Sequence, residues 1–117
     1  MITTHLAKRM LEAIGEVYVS LHSGSPGELG EVELTGRNYQ RRSTTLEHQI
    51  GWVVANGRGL DFEGLPTATV THIGLWDLPR QGRFFGAVPL TESVDVAAGG
   101  TLRFDPGDLQ IRLTGEG

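Results

Sequence analysis

Histidine, serine, aspartate and arginine supply the side chains that could do chemistry in this chain of 117 residues, which contains no cysteine. The absence of cysteine excludes disulfides and thiolate zinc sites. The four histidines, His5, His22, His48 and His72, lack the spacing that places two metal ligands on one element. His22 and His72 approach each other if their strands pair, and a polar strand residue bonded to a carbonyl or carboxylate explains each of them. We therefore predict no metal site and no cofactor.

Two other groups resemble functional sites without meeting their requirements. Ser23 and Ser25 lie next to His22 in a loop rich in glycine and proline, but the sequence has no Gly-x-Ser-x-Gly elbow and no evident orienting acid. Asp105 and Asp108 flank a Pro-Gly pair, and this loop is too short and too poor in carboxylates for an EF-hand calcium site. Capping of a turn explains the two aspartates better. We predict that the protein is not an enzyme.

Three arginines, Arg37, Arg41 and Arg42, form the sharpest charged cluster, with Tyr39 between them. On a strand, Arg37, Tyr39 and Arg41 share one face, and Arg42 lies on the other. This cluster favours a salt bridge, either inside the subunit or to a carboxylate of a neighbouring subunit. DNA binding is the alternative, but a net charge of −4 gives no attraction to nucleic acid or anionic membranes. We predict neither a nucleic-acid nor a membrane partner.

One amphipathic helix is predicted at the start of the chain, over residues 3–15. Leu6, Met10 and Ile14 are four residues apart and form a single apolar stripe. Gly15 suits the left-handed position that follows a helix end. Because a short helix is marginal by itself, the stripe must dock on the sheet or on another subunit.

The rest of the chain predicts short strands. From Val17 the apolar period is two, and 17 glycines and 5 prolines punctuate the short apolar runs. Asn56-Gly57 predicts a hairpin, and Pro106-Gly107 predicts a type II turn. We predict one mainly-β domain over residues 1–117, with a helix over 1–15 and a β-sandwich or jelly-roll-like barrel of about eight antiparallel strands over 16–117. The segments with strand patterns are 17–21, 38–46, 52–55, 58–62, 70–76, 83–90, 94–96, 101–104 and 109–113.

Adjacent aromatic residues add a surface to this core. Phe84 and Phe85 point to opposite faces of a strand, so at least one ring leaves a single-layer core and lies in a subunit interface or under the helix. Trp52 and Trp76 are predicted core residues. The predicted assembly interface consists of Leu6, Met10, Ile14, Arg37, Arg41, Arg42 and Phe84.

The order of these elements resembles a family of small tailed-phage proteins, usually described as tail-fibre or head-decoration proteins. The most distinctive segment is Val70-Thr-His-Ile-Gly-Leu-Trp-Asp77, which is similar to the family's aliphatic-Thr-His-aliphatic-Gly-Leu-aromatic-Asp strand. Gly36-Arg-Asn-Tyr-Gln-Arg41 is similar to its Gly-x-x-Tyr-x-Arg element. Ser25-Pro26 replaces the common Asp-Pro of the family. The other similar segments are 6–15, 17–27, 56–62, 85–87, 100–104 and 108–111.

The resemblance implies a non-catalytic structural protein of a phage particle, located in the virion and assembled in the host bacterial cytoplasm. Its partners would be the major capsid protein or tail proteins. We expect a head-decoration protein in many copies, because the chain has no repeats or heptads for a fibre shaft. The alternative is a tail-tip or tail-fibre module that recognises a host-surface glycan or protein. A homo-oligomer is expected, with a trimer matching the symmetry common in decoration proteins.

Overall fold

A computed structural model describes residues 13–27, 30–36, 38–49 and 53–112, and these residues form antiparallel β-structure. Eight strands are present in the described part of the chain. They are β1 (Glu16–His22), β2 (Arg42–His48), β3 (Val53–Asn56), β4 (Leu60–Leu65), β5 (Ala68–Trp76), β6 (Phe84–Val96), β7 (Gly100–Phe104) and β8 (Gln110–Arg112).

The strands form two sheets that together make a nearly closed, barrel-like arrangement. The larger sheet has six strands in the order β6-β5-β1-β2-β3-β8, and β4 pairs with β7 in the smaller sheet. Every strand pairing is antiparallel. The prediction of a mainly-β fold of about eight antiparallel strands is therefore confirmed.

The core lies between the two sheets and follows from the alternation of apolar residues. Val17, Val19 and Leu21 of β1 are buried and meet Leu60 and Phe62 of β4 in one apolar cluster. Full burial of each such side chain stabilises the fold by roughly 1.5–3 kcal/mol. The period of two therefore assigns one face of β1 to the core and leaves its other face for a different use.

The strand predicted over 38–46 begins later than its pattern suggests. Residues 38–41 lie outside β2, which starts at Arg42. A turn precedes it, in which the Tyr39 amide donates to the Gly36 carbonyl oxygen over 3.3 Å. The side chains of Tyr39 and Arg41 bind other parts of the chain, as described below, and their local sequence gives no sign of this.

The hairpin predicted at Asn56-Gly57 is wrong. β3 pairs with β2 and β8, whereas β4 pairs with β7, so the dipeptide makes a corner between sheets. Asn56 is almost fully buried, and its Nδ2 donates to the carbonyl oxygens of Arg58 (2.6 Å) and Asp105 (3.1 Å). Its Oδ1 accepts from the Leu109 amide over 2.9 Å. The asparagine thus joins two chain corners instead of closing one hairpin.

The turn predicted at Pro106-Gly107 is confirmed. Gly107 has a φ of 85°, and the Asp108 amide donates to the Asp105 carbonyl oxygen over 3.0 Å. The Asp108 carboxylate accepts from the Asp105 amide over 2.8 Å, which is the capping role expected for these aspartates. This turn connects β7 to β8 and so carries the chain from the smaller sheet to the larger one.

The predicted N-terminal helix is not supported. Its residues up to 12, which include Leu6 and Met10, lie outside the described residues. Within the described part, Ala13 and Ile14 have helical geometry, but no helix is formed. The Ile14 side chain is 48% exposed. The described residues contain no helix of the length and apolar character needed to cross a membrane.

Candidate functional site

The face of β1 and β5 that points away from the core carries an unexpected buried cluster. Cross-strand register pairs Ser20 with Gly74 and His22 with His72, on the face opposite to Leu21. The predicted approach of the two histidines is therefore confirmed. Ser20 and His22 are nonetheless fully buried, because the segment that follows β1 folds back over them. We name the outer-face cluster by its members, which are Ser20, His22, Gly74, Trp76 and Phe84.

A chain of hydrogen bonds crosses the outer-face cluster. The Glu31 carbonyl oxygen can only accept, so the His22 ring donates to it from Nδ1 over 2.7 Å. His22 Nε2 then accepts from the Ser20 hydroxyl over 2.6 Å. The Ser20 Oγ in turn accepts from Trp76 Nε1 over 2.8 Å. Every polar side-chain group in this series of hydrogen bonds has a partner, as buried polar groups require.

The Ser20–His22 pair has the separation of a nucleophile and its general base, but its surroundings oppose that use. Both side chains have no exposed surface, so a substrate has no route to the hydroxyl in this fold. The histidine is oriented by a backbone carbonyl rather than a carboxylate, and the Trp76 N–H occupies the serine oxygen. His22 bonds to Ser20, rather than to Ser23 or Ser25. The arrangement suits packing of a loop against the sheet.

Burial lowers the pKa of His22 below its ordinary value of 6.5. The hydrogen bond to the Glu31 carbonyl and the charge of Glu33 act in the opposite direction, and the charges of Arg41 and His72 act with the burial. The neutral ring is also the form that the hydrogen-bond chain requires, since Nε2 must be free to accept.

Arg41 covers the outer-face cluster and uses every edge of its guanidinium. Its Nε and Nη2 donate to the two carboxylate oxygens of Glu33, both over 3.0 Å. Its Nη1 donates to the carbonyl oxygens of Leu78 (3.0 Å) and Gln81 (2.8 Å). The guanidinium carbon lies 3.7 Å from the centroid of the Trp76 ring, in a cation–π contact. One side chain therefore holds a loop, a turn and a strand together.

Tyr39 completes the environment of the Glu33 carboxylate. Its hydroxyl donates to Glu33 Oε2 over 2.7 Å and accepts from the Leu21 amide over 3.0 Å. Burial, the hydrogen bond to Glu33 and the negative charge of that carboxylate raise the pKa of Tyr39 well above its usual value. Glu33 thus receives one hydrogen bond from Tyr39 and two from Arg41.

The turn between β5 and β6 is built to meet Arg41. Asp77 accepts the Arg83 amide on its carboxylate over 2.6 Å, which closes the turn. Gln81 has a φ of 54°, a left-handed conformation that costs energy for a residue with a side chain. The hydrogen bonds from Arg41 to the carbonyls of Leu78 and Gln81 help to hold this conformation in place.

The structure separates the three predicted arginines. Arg41 is 8% exposed and pairs with Glu33 of its own chain, so the salt bridge is intramolecular. Arg42 lies opposite Val19 on the core side of β2, and its Nε is buried without a hydrogen-bond partner among the described residues. Arg37 lies outside the described residues. A role for any of them in assembly stays a prediction.

The two adjacent phenylalanines do point to different surroundings. Phe84 packs on Trp76, with ring centroids 5.0 Å apart, and lies 6.2 Å from His22. Phe85 is 54% exposed, at a position where β6 carries one residue more than β5. The exposed ring is therefore that of Phe85, whereas the ring predicted for the interface is that of Phe84. An assembly role for Phe84 stays a prediction.

Glycines explain why the loop can approach so closely, and their role was missed in the sequence. Gly30 has a φ of 72°, and a Cβ there would overlap the Trp76 ring. A Cβ on Gly74 would lie 2.5 Å from Ser20 Oγ and 2.6 Å from His22 Nε2. The period-two alternation of Ser20 and His22 was a usable signal for this face, but nothing in the sequence indicated that Glu33 would pair with Arg41.

Elsewhere in the described part of the chain, titratable side chains form exposed ion pairs, such as those of Arg103 with Asp61 and Asp105. Among the described residues, no group of three or more histidine, aspartate or glutamate side chains is placed to hold a metal ion. The described residues thus form a small antiparallel β-protein in which the polar groups of the outer face bond to one another. The chain belongs to the family described as podophage GP4 fiber I protein gp80, whose sequence model matches residues 2–112. No curated protein matches the chain.

Membership in this family confirms the resemblance to tail-fibre proteins of phage. It makes the chain a virion component that associates with other virion proteins. The expectation of head decoration is not supported, and the family description agrees better with the alternative tail-fibre assignment. The oligomeric state and the identity of the partners stay predictions.

We predict that Gly74→Ala destabilises the protein by about 1–3 kcal/mol, because the added methyl group overlaps Ser20, His22 and Phe84. Gly86→Ala on the neighbouring strand is the matched control, since a Cβ there meets no atom within 4 Å. Urea unfolding of both variants measures the difference. Equal stability of the two variants would show that the outer-face cluster is not closely packed.

We predict that His22 makes the folded state less stable as the pH falls below 6.5. Below pH 6.5 the His22 ring takes up a proton in the unfolded chain, whereas burial keeps the same ring neutral in the folded protein. Above pH 6.5 the ring is neutral in both states, and the contribution of His22 to the free energy of unfolding is complete. The slope reaches at most about 1.4 kcal/mol per pH unit. Urea unfolding between about pH 7.5 and 5 is compared with His22→Asn, which does not titrate. Identical pH profiles would contradict the buried neutral ring.

Proposed function

We propose that this protein is a non-catalytic structural component of a phage tail fibre, and that it acts by contacts with other virion proteins. The observation that carries the proposal is the family match, which spans nearly the whole chain and bears a fibre description. The described sequence carries no repeats or heptads of the kind that build a fibre shaft, so we expect it to act as a connecting or terminal piece. This role requires a stable surface rather than a reactive site.

The structure supports this role through the way its polar groups are used. The hydroxyl and imidazole with catalytic separation, Ser20 and His22, are fully buried. Arg41 binds Glu33 and two backbone carbonyls, and so it stiffens a loop and a turn. Rigid loops lower the entropic cost of binding a neighbouring subunit.

The partners and the oligomeric state belong to the same proposal. We expect neighbouring tail proteins as partners and a homo-oligomer within the fibre. Phe85, 54% exposed, offers an apolar contact for such an assembly. Assembly in the host cytoplasm is also part of this proposal.

Purified virions test the proposal. We expect quantitative mass spectrometry to find the protein in a small, fixed number of copies relative to the major capsid protein. We also expect immunogold labelling at the tail, with a tail-tube protein and the capsid protein as position controls. A copy number proportional to that of the capsid subunits, with label on the head, would contradict the fibre assignment and support head decoration. Absence from virions would refute a structural role.

A further inference from the structure

Asn56 and Gly57 form the one Asn-Gly pair of the sequence, at the corner between β3 and β4. An asparagine followed by glycine is open to a reaction with its own backbone. The amide nitrogen of the glycine attacks the side-chain carbonyl carbon (Cγ) of the asparagine, and ammonia leaves as a succinimide ring closes. Water then opens the ring to aspartate or isoaspartate. Glycine favours the attack, because it has no side chain to hinder the approach of its nitrogen.

The fold ties up the side chain on which this reaction depends. Asn56 is 3% exposed, and its Nδ2 donates to the carbonyl oxygens of Arg58 and Asp105. Departure of ammonia takes Nδ2 out of both hydrogen bonds and leaves two carbonyls without this donor. Burial also keeps away the water that opens the ring. The folded chain therefore opposes the loss of the amide group.

The attacking nitrogen of Gly57 is engaged as well. Its N–H donates to the Thr45 carbonyl oxygen over 2.7 Å. The reactive form is the deprotonated amide, and a carbonyl oxygen at this distance repels a nitrogen that has lost its proton. A Cβ on Gly57 would overlap the Glu47 carboxylate, so the corner leaves little room for the movement that ring closure needs. The negative charge of that carboxylate further opposes deprotonation.

The product of the reaction does not fit the corner. In aspartate an oxygen replaces Nδ2, and an ionised carboxylate has no proton to donate to the carbonyl oxygens of Arg58 and Asp105. A buried negative charge that faces two acceptors is strongly unfavourable. Isoaspartate also lengthens the main chain, which displaces the backbone hydrogen bonds that Asn56 makes with Leu109 (3.3 Å) and Gly107 (2.9 Å).

We propose that the Asn56-Gly57 corner is a deamidation site that the folded chain keeps closed, so that prolonged unfolding of this protein becomes irreversible. The inference concerns the chemical lifetime of the fold and does not depend on the fibre assignment. Asn38 is an internal comparison, because it is exposed and is followed by Tyr39, whose side chain hinders the attack. Asn38 is thus protected by its local sequence, whereas Asn56 is protected by the fold.

Parallel incubation of the full chain in mildly alkaline buffer, with and without guanidinium chloride, tests the proposal. Peptide mass spectrometry follows the loss of the amide group at Asn56 and at Asn38. Because the folded protein reacts through its open form, we expect the loss at Asn56 to be at least about thirtyfold slower in buffer than in denaturant. In denaturant, Asn56 should react faster than Asn38, and Gly57→Ala should slow the loss at Asn56 several-fold.

Refolding after increasing times in denaturant tests irreversibility. Size-exclusion chromatography separates refolded from aggregated chains, and we expect the deamidated chains to collect in the aggregated fraction. Asn56→Asp reproduces one product and should unfold at a lower denaturant concentration than the wild type, whereas the matched control Asn38→Asp should not.

Three results would overturn the proposal. The first is equal loss of the amide group at Asn56 in the folded and the unfolded protein. The second is loss in denaturant that is no faster at Asn56 than at Asn38. The third is recovery of deamidated and unmodified chains in the refolded fraction in equal proportion, with Asn56→Asp as stable as the wild type.

Discussion

The ion pair between Arg41 and Glu33 is the interaction on which the outer half of this structure depends. Both side chains are largely shielded from water, and such a pair is stable only when its remaining hydrogen-bonding groups are satisfied. Two backbone carbonyls, the Tyr39 hydroxyl and the Trp76 ring meet that condition. The segment after β1 and the β5–β6 turn are therefore positioned by one guanidinium.

This constraint explains why the central strands are buried on both faces. The core face of β1 and β5 packs against the smaller sheet, as expected of a small β-sandwich. The opposite face is covered by the loop that follows β1. The hydrogen bonds that run from Trp76 through Ser20 and His22 to this loop satisfy the polar side chains buried beneath it.

Local patterns predicted much of the fold, because strands such as β1, β5 and β7 follow from alternation and the Pro106-Gly107 turn from its φ requirement. They failed where distant contacts decide. Asn56-Gly57 has hairpin chemistry, yet Asn56 bonds to groups near residues 105 and 109, and a local pattern carries no information on partners so far along the chain. For the same reason, Arg41 was singled out but its partner Glu33 was not.

Hydrogen exchange of Arg41→Lys, followed by mass spectrometry, tests most directly whether Arg41 fastens the loop and the turn to the sheet. Lysine keeps the charge but cannot make the paired hydrogen bonds or reach both carbonyls. The account predicts faster exchange in residues 31–36 and 78–83, with β4 and β7 unchanged. Arg58→Lys, in an exposed pair with Glu16, should exchange like the wild type. Wild-type exchange in both segments of Arg41→Lys would contradict the account.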